Sequence, residues 1–372
     1  MTLQWIAGLM MAGFLAVRVQ GYGPAGHEMV GAVADGKLAG TSAGRKVQTL
    51  LGGVSLARAA NLADDLKFWD KKKGAIKPGS LRLTNNHGLE LQLFDFWQAN
   101  PATDNNPTNN PSHHWFHYTD VPVEGNGRYQ DGLTGRSQWD VVQMMAYCIR
   151  VLRGEESEQN VRKITKPVAA VLLAHFVGDI HQPLHVGAQY FDERGRAVNP
   201  DANGGHGTGD QGGNGLTLLM QEIPGLTMPK GRMKLHGFWD NQAVTVAFNK
   251  ISSDAMFRSA GPAPEFTKQG IARYYIRKKP PNWKSGSARD VMKWPENWAN
   301  EILPLAREAH RRLEYVDVRI GESNGEAAAV GTSKEKLNAG AESYAVWAGN
   351  KVNESIHRAG WRLAELLAAI VK

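Results

Sequence analysis

The sequence predicts an all-α fold, a single mainly helical domain. Stretches with the apolar spacing of amphipathic helices recur along most of the chain, whereas no comparable run of alternating strand residues occurs. Clusters of Pro, Gly and Asn separate these stretches, and the sequence has neither an internal repeat nor a convincing linker to a second domain. The 372 residues, of which 42% are hydrophobic, are enough to form one sizeable core.

Eight stretches are predicted to be helical. Ser137 has the side chain of an N-cap and directly precedes the fourth stretch. Three other segments are expected to be loops: the Pro/Asn/Thr-rich segment 99–112, the Gly-rich segment 186–215 and the basic, Pro-interrupted segment 276–289. In chain order, the predicted helices cover residues 26–38, 42–51, 56–69, 138–152, 158–176, 238–251, 298–316 and 341–371.

Charge and cysteine content restrict the classes of partner and site. The chain has 43 Lys and Arg against 36 Asp and Glu, a formal net charge of +7, which suits a polyanion such as nucleic acid or an acidic membrane surface. The single cysteine, Cys148, excludes an intramolecular disulfide framework and any zinc or iron–sulfur site built from several cysteines. A metal ion would therefore need ligands from the twelve histidines and the carboxylates.

The first 21 residues have features of a secretory signal peptide. An uncharged apolar run covers residues 5–17, and short residues precede Tyr22 at the expected cleavage point. No Lys or Arg precedes this run, so a retained anchor and a buried first helix are the alternatives. We expect residues 1–21 to be removed and residues 22–372 to form the mature domain, secreted or periplasmic. Because no later stretch reaches 18 apolar residues, no stable membrane association is expected.

Two His/Asp pairs are the clearest candidates for a functional site in this sequence. His175 and Asp179 are four residues apart, as are His236 and Asp240, so on a helix each pair points from one face. Pro183 ends the helix after the first pair and allows His185 to turn toward a neighbouring position. One such pair alone is typical of a surface ion pair or a buried structural histidine. Two pairs followed by a third histidine favour a metal site.

Three more residues are candidates for the same site. Asp64 lies in a helix with an apolar face, His117 precedes a turn that contains Pro122, and His27 lies close to the proposed mature N-terminus. Taken singly, each has an ordinary structural alternative: a solvated carboxylate for Asp64 and a packed imidazole for each histidine. His113 and His114, in the same segment as His117, are expected to be ordinary loop histidines.

Several motifs occur together in a recognisable order. They are Tyr-Gly-x-x-Gly-His, Ala-Asp-x-x-Lys, His-Tyr-x-Asp-x-Pro, His-x-x-x-Asp-Ile-His-Gln-Pro-Leu-His and Leu-His-x-x-Trp-Asp-Asn. In this order the sequence resembles the single-strand-specific trizinc nucleases of fungi and plants, nucleases S one and P one, which share a mainly helical fold with bacterial zinc-dependent phospholipase C. The resemblance extends from Tyr22 to the closing helical segment, so it covers nearly the whole mature chain.

The resemblance implies three zinc ions bound by His and Asp. One ion would be bound by Asp64, His117, His175 and Asp179. A second would share Asp179 and add His27 with the α-amine and carbonyl of Tyr22, where the family usually has Trp. The ligands implied for the third ion are His185, His236 and Asp240. Imidazole nitrogens and carboxylate oxygens are ligands that zinc accepts.

The resemblance also implies roles for three further residues. Asp120 would orient the attacking water, Lys67 would face the phosphate and Asn241 would read the edge of a nucleobase. Lys67 has the alternative of being one more member of a surface lysine cluster, and Asn241 that of a helix-surface amide. The implied substrates are single-stranded DNA and RNA, cleaved to 5′-phosphorylated products, with 3′-nucleotidase activity as a further expectation. Two other functions stay open: a phospholipase C on the same scaffold, and a non-catalytic zinc-binding protein.

Overall fold

The computed structural model describes residues 22–70, 83–102, 112–219, 232–253, 268–320, 327–333 and 342–371. These residues are mainly helical, which confirms the predicted fold class. The predicted signal segment, residues 1–21, lies outside the described residues, as does most of the predicted loop 99–112. Among the described residues, no helix combines the length and the apolar character needed to cross a bilayer.

The helices begin and end at the following residues. The α-helices are α1 Pro24–Leu38, α2 Ser42–Leu50, α3 Leu56–Asp65, α4 Lys67–Asp70, α5 His87–Ala99, α6 Val141–Arg153, α7 Lys166–Asp179, α8 Leu235–Gly237, α9 Ala243–Ser253, α10 Lys268–Arg277, α11 Trp294–Arg311 and α12 Tyr344–Ile370. Shorter 3-10 turns are His113–His117, Tyr129–Asp131, Pro183–His185 and Ala288–Lys293, and a π-helical turn covers Phe238–Gln242 between α8 and α9.

The starts of α6 and α7 differ from the predictions. Ser137 is not the N-cap of α6, because Asp140 fills that position and accepts a hydrogen bond from the Gln143 backbone. The helix predicted over 158–176 is α7, which starts only at Lys166 and continues to Asp179. Before it, the Asn160 side chain accepts hydrogen bonds from the backbone N–H groups of residues 162 and 164, which holds this segment in a turn.

Other predicted boundaries also need correction. The stretch 56–69 is two helices, α3 and α4, divided at Leu66. The stretch 298–316 begins earlier, at Trp294, and gives way after Arg311 to a β-strand, so its last residues are not helical. Three helices, α5, the three-residue α8 and α10, were not predicted, and α10 includes the start of the segment expected to be the basic loop 276–289.

Small sheets accompany the helices, contrary to the absence of strands in the prediction. Strand β8 (Leu313–Ile320) pairs antiparallel with β9 (Ala327–Ser333), which pairs parallel with β6 (Leu216–Leu219). One edge strand of this four-stranded sheet is β7 (Arg232–Lys234), which pairs antiparallel with β6 and is followed directly by α8; the other edge strand is β8. The predicted loop 186–215 contains four further two-residue strands. Of these, β2 (Gly187–Ala188) pairs with β1 (Val121–Pro122) from an earlier part of the chain, and β3 (Tyr190–Phe191) pairs with β4 (Ala197–Val198) and β5 (Thr208–Gly209).

Helix α7 lies at the centre of the helical core. From Val168 to Asp179 all of its residues are buried, as expected for a helix covered by neighbours on every side. It packs against α1, α3, α6 and α12, and α1 in turn packs against α3 and α12. His175 and Asp179 lie at the C-terminal end of α7. The packing of the neighbouring helices brings the ends of other elements close to these two residues.

Candidate metal centre

The C-terminal end of α7 supplies two buried side chains of the centre. His175 and Asp179 lie one turn apart on one face, and His175 Nε2 is 3.1 Å from Asp179 Oδ2. The carbonyl oxygen of Ala60 lies 2.6 Å from His175 Nδ1 and orients the ring. Because a neutral imidazole carries one proton, this hydrogen bond leaves the Nε2 lone pair directed into the centre.

Two further predicted ligands meet this pair. His117, the last residue of a 3-10 turn, places Nδ1 2.9 Å from His175 Nε2 and 3.1 Å from Asp179 Oδ2. Asp64, near the end of α3, places Oδ1 3.8 Å from His175 Nε2 and 3.9 Å from His117 Nδ1. All four side chains are buried. The structure therefore brings together the four residues expected around the first ion.

His27 joins the same cluster from α1. Its ring stacks on His175 with the centroids 3.8 Å apart, and its Nε2 is 3.3 Å from Asp179 Oδ1. Gly178 permits this approach, since a Cβ there would lie 2.6 Å from His27 Nδ1. Within the described part of the chain, both His27 ring nitrogens and Asp179 Oδ1 lack hydrogen-bond partners. Buried polar atoms rarely lack partners in native proteins, so this cluster fits a bound cation.

A second group of candidate ligands lies beside the first. The 3-10 turn Pro183–His185 follows α7 and brings His185 to His236, with their Nε2 atoms 3.2 Å apart. His236 Nε2 is 3.3 Å from Asp240 Oδ2. Each Nδ1 faces a backbone carbonyl oxygen, that of His117 at 2.8 Å and that of Gly212 at 2.7 Å. These are the three residues expected around the third ion, and all are buried.

Asp179 connects the two groups. Its Oδ2 faces His117 and His175, while its Oδ1 is 3.3 Å from His27 Nε2 and 3.4 Å from His185 Nδ1. One carboxylate thus presents its two oxygens to different sets of imidazoles. Asp179 therefore lies between the two groups of candidate ligands.

The π-helical turn Phe238–Gln242 gives adjacent residues different environments. Asp240 is buried, and its Oδ1 accepts a 2.9 Å hydrogen bond from Gln182 Nε2. Asn241 is exposed, and its Nδ2 donates to the carbonyl oxygen of Gly237 at 3.2 Å. The candidate for substrate binding, Asn241, therefore lies at the surface directly after a buried candidate ligand. Single π turns of this kind are frequent at functional sites.

The two residues expected to act in catalysis differ in how they are held. Lys67 is buried, and its Nζ forms a 2.6 Å ion pair with Asp64 Oδ1. Asp120 follows the 3-10 turn that ends at His117, and its backbone is fixed by bonds to the Gly135 carbonyl and the Tyr190 hydroxyl. Its Oδ1 is buried without a hydrogen-bond partner among the described residues. Burial raises the pKa of Asp120 to about 7.

Tyr22 is held at the edge of the centre. Its side chain is buried, its hydroxyl donates to the carbonyl oxygen of His181 at 2.8 Å, and the next residue, Gly23, donates its N–H to the carbonyl oxygen of Asp240 at 2.9 Å. These bonds fix the Tyr22 backbone close to Asp240. The preceding residues lie outside the described part of the chain.

The electrostatics of the centre favour a positive charge between its ligands. Burial by itself lowers the pKa of His175, yet Asp179 and Asp64 outweigh it and raise the pKa. Burial lowers the pKa of His27 to about 4, so this ring is a neutral potential ligand at pH 7. The carboxylates therefore attract a cation to the His175 ring, and a metal ion can take the place of a proton there.

The comparison with known families agrees with this geometry. The family described as S1/P1 Nuclease matches residues 22–372. The chain belongs to the S1/P1 nuclease family. Among proteins of Arabidopsis thaliana, Endonuclease 4 is 26% identical over 147 residues, 36% of this chain and 40% of that protein. Endonuclease 1 is 26% identical over 165 residues, 44% of this chain and 42% of that protein. The matched part thus spans about two fifths of each relative.

Family membership confirms the resemblance read from the motifs, but the sequence did not indicate every residue of the centre. The prediction missed Gln182, which orients Asp240, and the pairing of Lys67 with Asp64. Gln182 lies between ligands inside the Asp-Ile-His-Gln-Pro-Leu-His block, so its position was the available signal. The expectation for His113 and His114 is wrong, because both lie in a 3-10 turn and contact Asp70.

Proposed function

We propose that this protein is a secreted zinc-dependent endonuclease that hydrolyses phosphodiester bonds of single-stranded DNA and RNA to 5′-phosphorylated products, with 3′-nucleotidase activity. The proposal depends on one observation, the convergence of eight buried His and Asp side chains in a chain of the S1/P1 nuclease family. The residues concerned are His27, Asp64, His117, His175, Asp179, His185, His236 and Asp240.

These residues fit zinc in number and chemistry. Five imidazoles and three carboxylates can hold three ions if Asp179 is shared and Tyr22 adds its amine and carbonyl groups. When bound, zinc supplies Lewis-acid activation of water and phosphate, as in other multi-metal hydrolases. The backbone carbonyls that hold His175, His185 and His236 at Nδ1 fix the direction of each Nε2, which reduces the reorganisation needed on binding.

Two residues have proton and charge roles in this proposal. Asp120, whose buried Oδ1 lacks a hydrogen-bond partner among the described residues, accepts a hydrogen bond from the attacking water and then its proton. Lys67 holds Asp64 through its ammonium group and offers a positive charge to a phosphate oxygen. The proposal needs no protein acid for the leaving 3′ oxygen, because a bound zinc ion would stabilise the charge that develops there.

The proposed preference for single strands depends on exposed groups near the centre. Phe68 follows Lys67 directly, and half of its side-chain surface is exposed. An exposed aromatic ring offers a platform on which an unpaired base can stack, and a base inside a duplex cannot reach it. Asn241 offers an amide to the edge of a base. The net charge of +7 favours association with a polyanion.

The proposal includes export because the Tyr22 α-amine becomes available as a ligand only after a signal peptide is removed. Removal of residues 1–21 would free an α-amine at Tyr22, whose backbone neighbours Asp240 through the Gly23 hydrogen bond. N-terminal sequencing of protein recovered outside the cytoplasm is expected to begin at Tyr22. A sequence that begins elsewhere would remove the amine from the proposed ligand set.

The function is tested by parallel assays on denatured DNA, RNA, duplex DNA of the same sequence and phosphatidylcholine. We expect cleavage of both single-stranded substrates with 5′-phosphate ends, slower cleavage of the duplex, loss of turnover with chelator and its return with zinc. Hydrolysis of lipid without nucleotide release would instead identify a phospholipase C. Retention of zinc without turnover on any substrate would identify a non-catalytic zinc-binding protein.

A further inference from the structure

A separate His/Asp cluster lies outside the centre described above. Asp70, the last residue of α4, is buried beside His113 and His114 at the start of the 3-10 turn that ends with His117. Its Oδ2 is 2.7 Å from His114 Nε2 and 3.3 Å from His113 Nε2. Three potential ligand atoms, two nitrogens and one oxygen, therefore converge within 4.8 Å of one another.

The carboxylate of Asp70 is oriented in the same way as that of Asp240. Trp97 donates its indole N–H to Asp70 Oδ1 at 2.8 Å, just as the Gln182 amide donates to Asp240 Oδ1 at 2.9 Å. In both cases the other oxygen, Oδ2, faces histidine nitrogens, and His113 Nε2 also lies 3.5 Å from Asp70 Oδ1. A carboxylate held at one oxygen and directed with the other is the usual arrangement of a metal-binding aspartate.

The distances and burial suit a small cation. Zinc binds nitrogen and oxygen at about 2.0–2.2 Å, so tetrahedral ligand atoms lie roughly 3.4 Å apart. The spacing of 3.3 Å between His113 Nε2 and Asp70 Oδ2 meets this value, while His114 Nε2, at 2.7 Å, would need to move away from Asp70 Oδ2 by about 0.7 Å. The side chain of His114 is 27% exposed, which gives solvent access to a fourth position.

We propose that Asp70, His113 and His114 bind a further zinc ion, with water as its fourth ligand. The ion would join α4 to the 3-10 turn. Since α4 follows the helix that carries Asp64 and the turn ends at His117, this ion would hold together two elements that supply the main centre. The competing arrangement, in which both histidines simply donate hydrogen bonds to Asp70 without a metal, is an outcome of the test.

The proposal is tested by an absorption band that should appear when one proposed ligand, His114, is replaced by cysteine. His114→Cys replaces a nitrogen ligand by a thiolate, which also binds zinc and cobalt. After exchange into Co²⁺, we expect a thiolate-to-cobalt charge-transfer band in this variant under reducing conditions. The matched control, His206→Cys, places a thiol at an exposed histidine outside these clusters and should give no band. Cys148 is common to both variants and buried.

Metal counting gives an independent readout. Wild-type protein should hold one zinc more per chain than His114→Gln, whereas His206→Gln should equal the wild type. The difference of one zinc ion between wild type and His114→Gln is expected whatever number of ions the main centre holds. A main centre with fewer than three ions would therefore leave this test unaffected. Absence of the cobalt band in folded His114→Cys, or equal zinc in wild type and His114→Gln, would overturn the proposal in favour of the hydrogen-bonded arrangement.

Discussion

The Nε2 atoms of His185 and His236 lie 3.2 Å apart, although 51 residues separate the two positions in the chain. Both rings face a backbone carbonyl through Nδ1, so in their neutral forms both carry a lone pair at Nε2. Two lone pairs this close repel each other unless a cation lies between them. The pair is therefore the clearest sign of a metal site in the second group of ligands.

Substitution of His236 tests this relationship. His236→Gln should remove about one zinc ion per chain and lower turnover by more than 100-fold, since loss of a residue that only supports a ligand already costs roughly 10–100-fold. His206→Gln serves as the control because residue 206 is exposed and lies outside these clusters. Elemental analysis and initial rates measure both effects. Unchanged zinc in His236→Gln would show that this residue is not a ligand.

Gln182 should matter through Asp240. Gln182→Ala removes the hydrogen bond that holds Asp240 Oδ1, and the freed carboxylate can rotate away from His236. It also removes the bond from the Leu184 N–H to Gln182 Oε1, which caps the turn that carries His185. We expect zinc affinity or activity to fall by roughly 10–100-fold, less than for a ligand itself. Zinc titration by calorimetry measures the loss. Gln159→Ala, an exposed glutamine, is the matched control, and equal affinities in both variants would contradict the positioning role.

Asp120 should set the acid limb of the pH profile. Burial raises its pKa to about 7, so the carboxylate form that accepts a proton grows with pH up to that value. In the wild type, kcat/KM should rise about tenfold per pH unit below 7 and then level. Asp120→Asn should keep its zinc, lose roughly 10²–10⁴-fold in turnover and lack this limb. If the variant retained the same slope, another group would be responsible.

Phe68 should contribute to the choice of single strands. Phe68→Ala should weaken binding of single-stranded DNA by roughly 5- to 150-fold, the equivalent of 1–3 kcal/mol of base stacking. Duplex binding should change little, because its bases stay stacked. Leu133→Ala removes another exposed apolar side chain and is the control. KM values on both substrates measure the effect, and an equal loss on both would assign Phe68 a structural role.

The parts of the site that the sequence predicts are those set by local spacing. The four-residue interval of His175 and Asp179 is enough to place both on one face of α7, and Pro183 is enough to turn His185 out of that helix. The meeting of His185 with His236, and of Asp70 with His113 and His114, depends on how distant elements pack. Single-sequence spacing carries no information about such packing.

The predicted fold likewise fails where contacts that residue spacing does not reveal determine the structure. The segment 158–165 has helical composition, but the Asn160 side chain satisfies backbone groups there and delays α7 until Lys166. Strand β8 alternates apolar and polar residues incompletely, because its register with β9 shifts between Val316 and Arg319. Since β9 is rich in small residues, neither strand has the regular pattern that predicts a sheet.

Gly178 fixes how closely two helices can approach. With hydrogen in place of a side chain, the end of α7 admits the His27 ring of α1, and a Cβ would lie 2.6 Å from Nδ1 of that ring. A single methyl group at this position would have to displace the imidazole from Asp179 while leaving His185, His236 and Asp240 where they are. The nuclearity that we propose for the cluster, three ions instead of two, thus depends on the smallest residue in the chain.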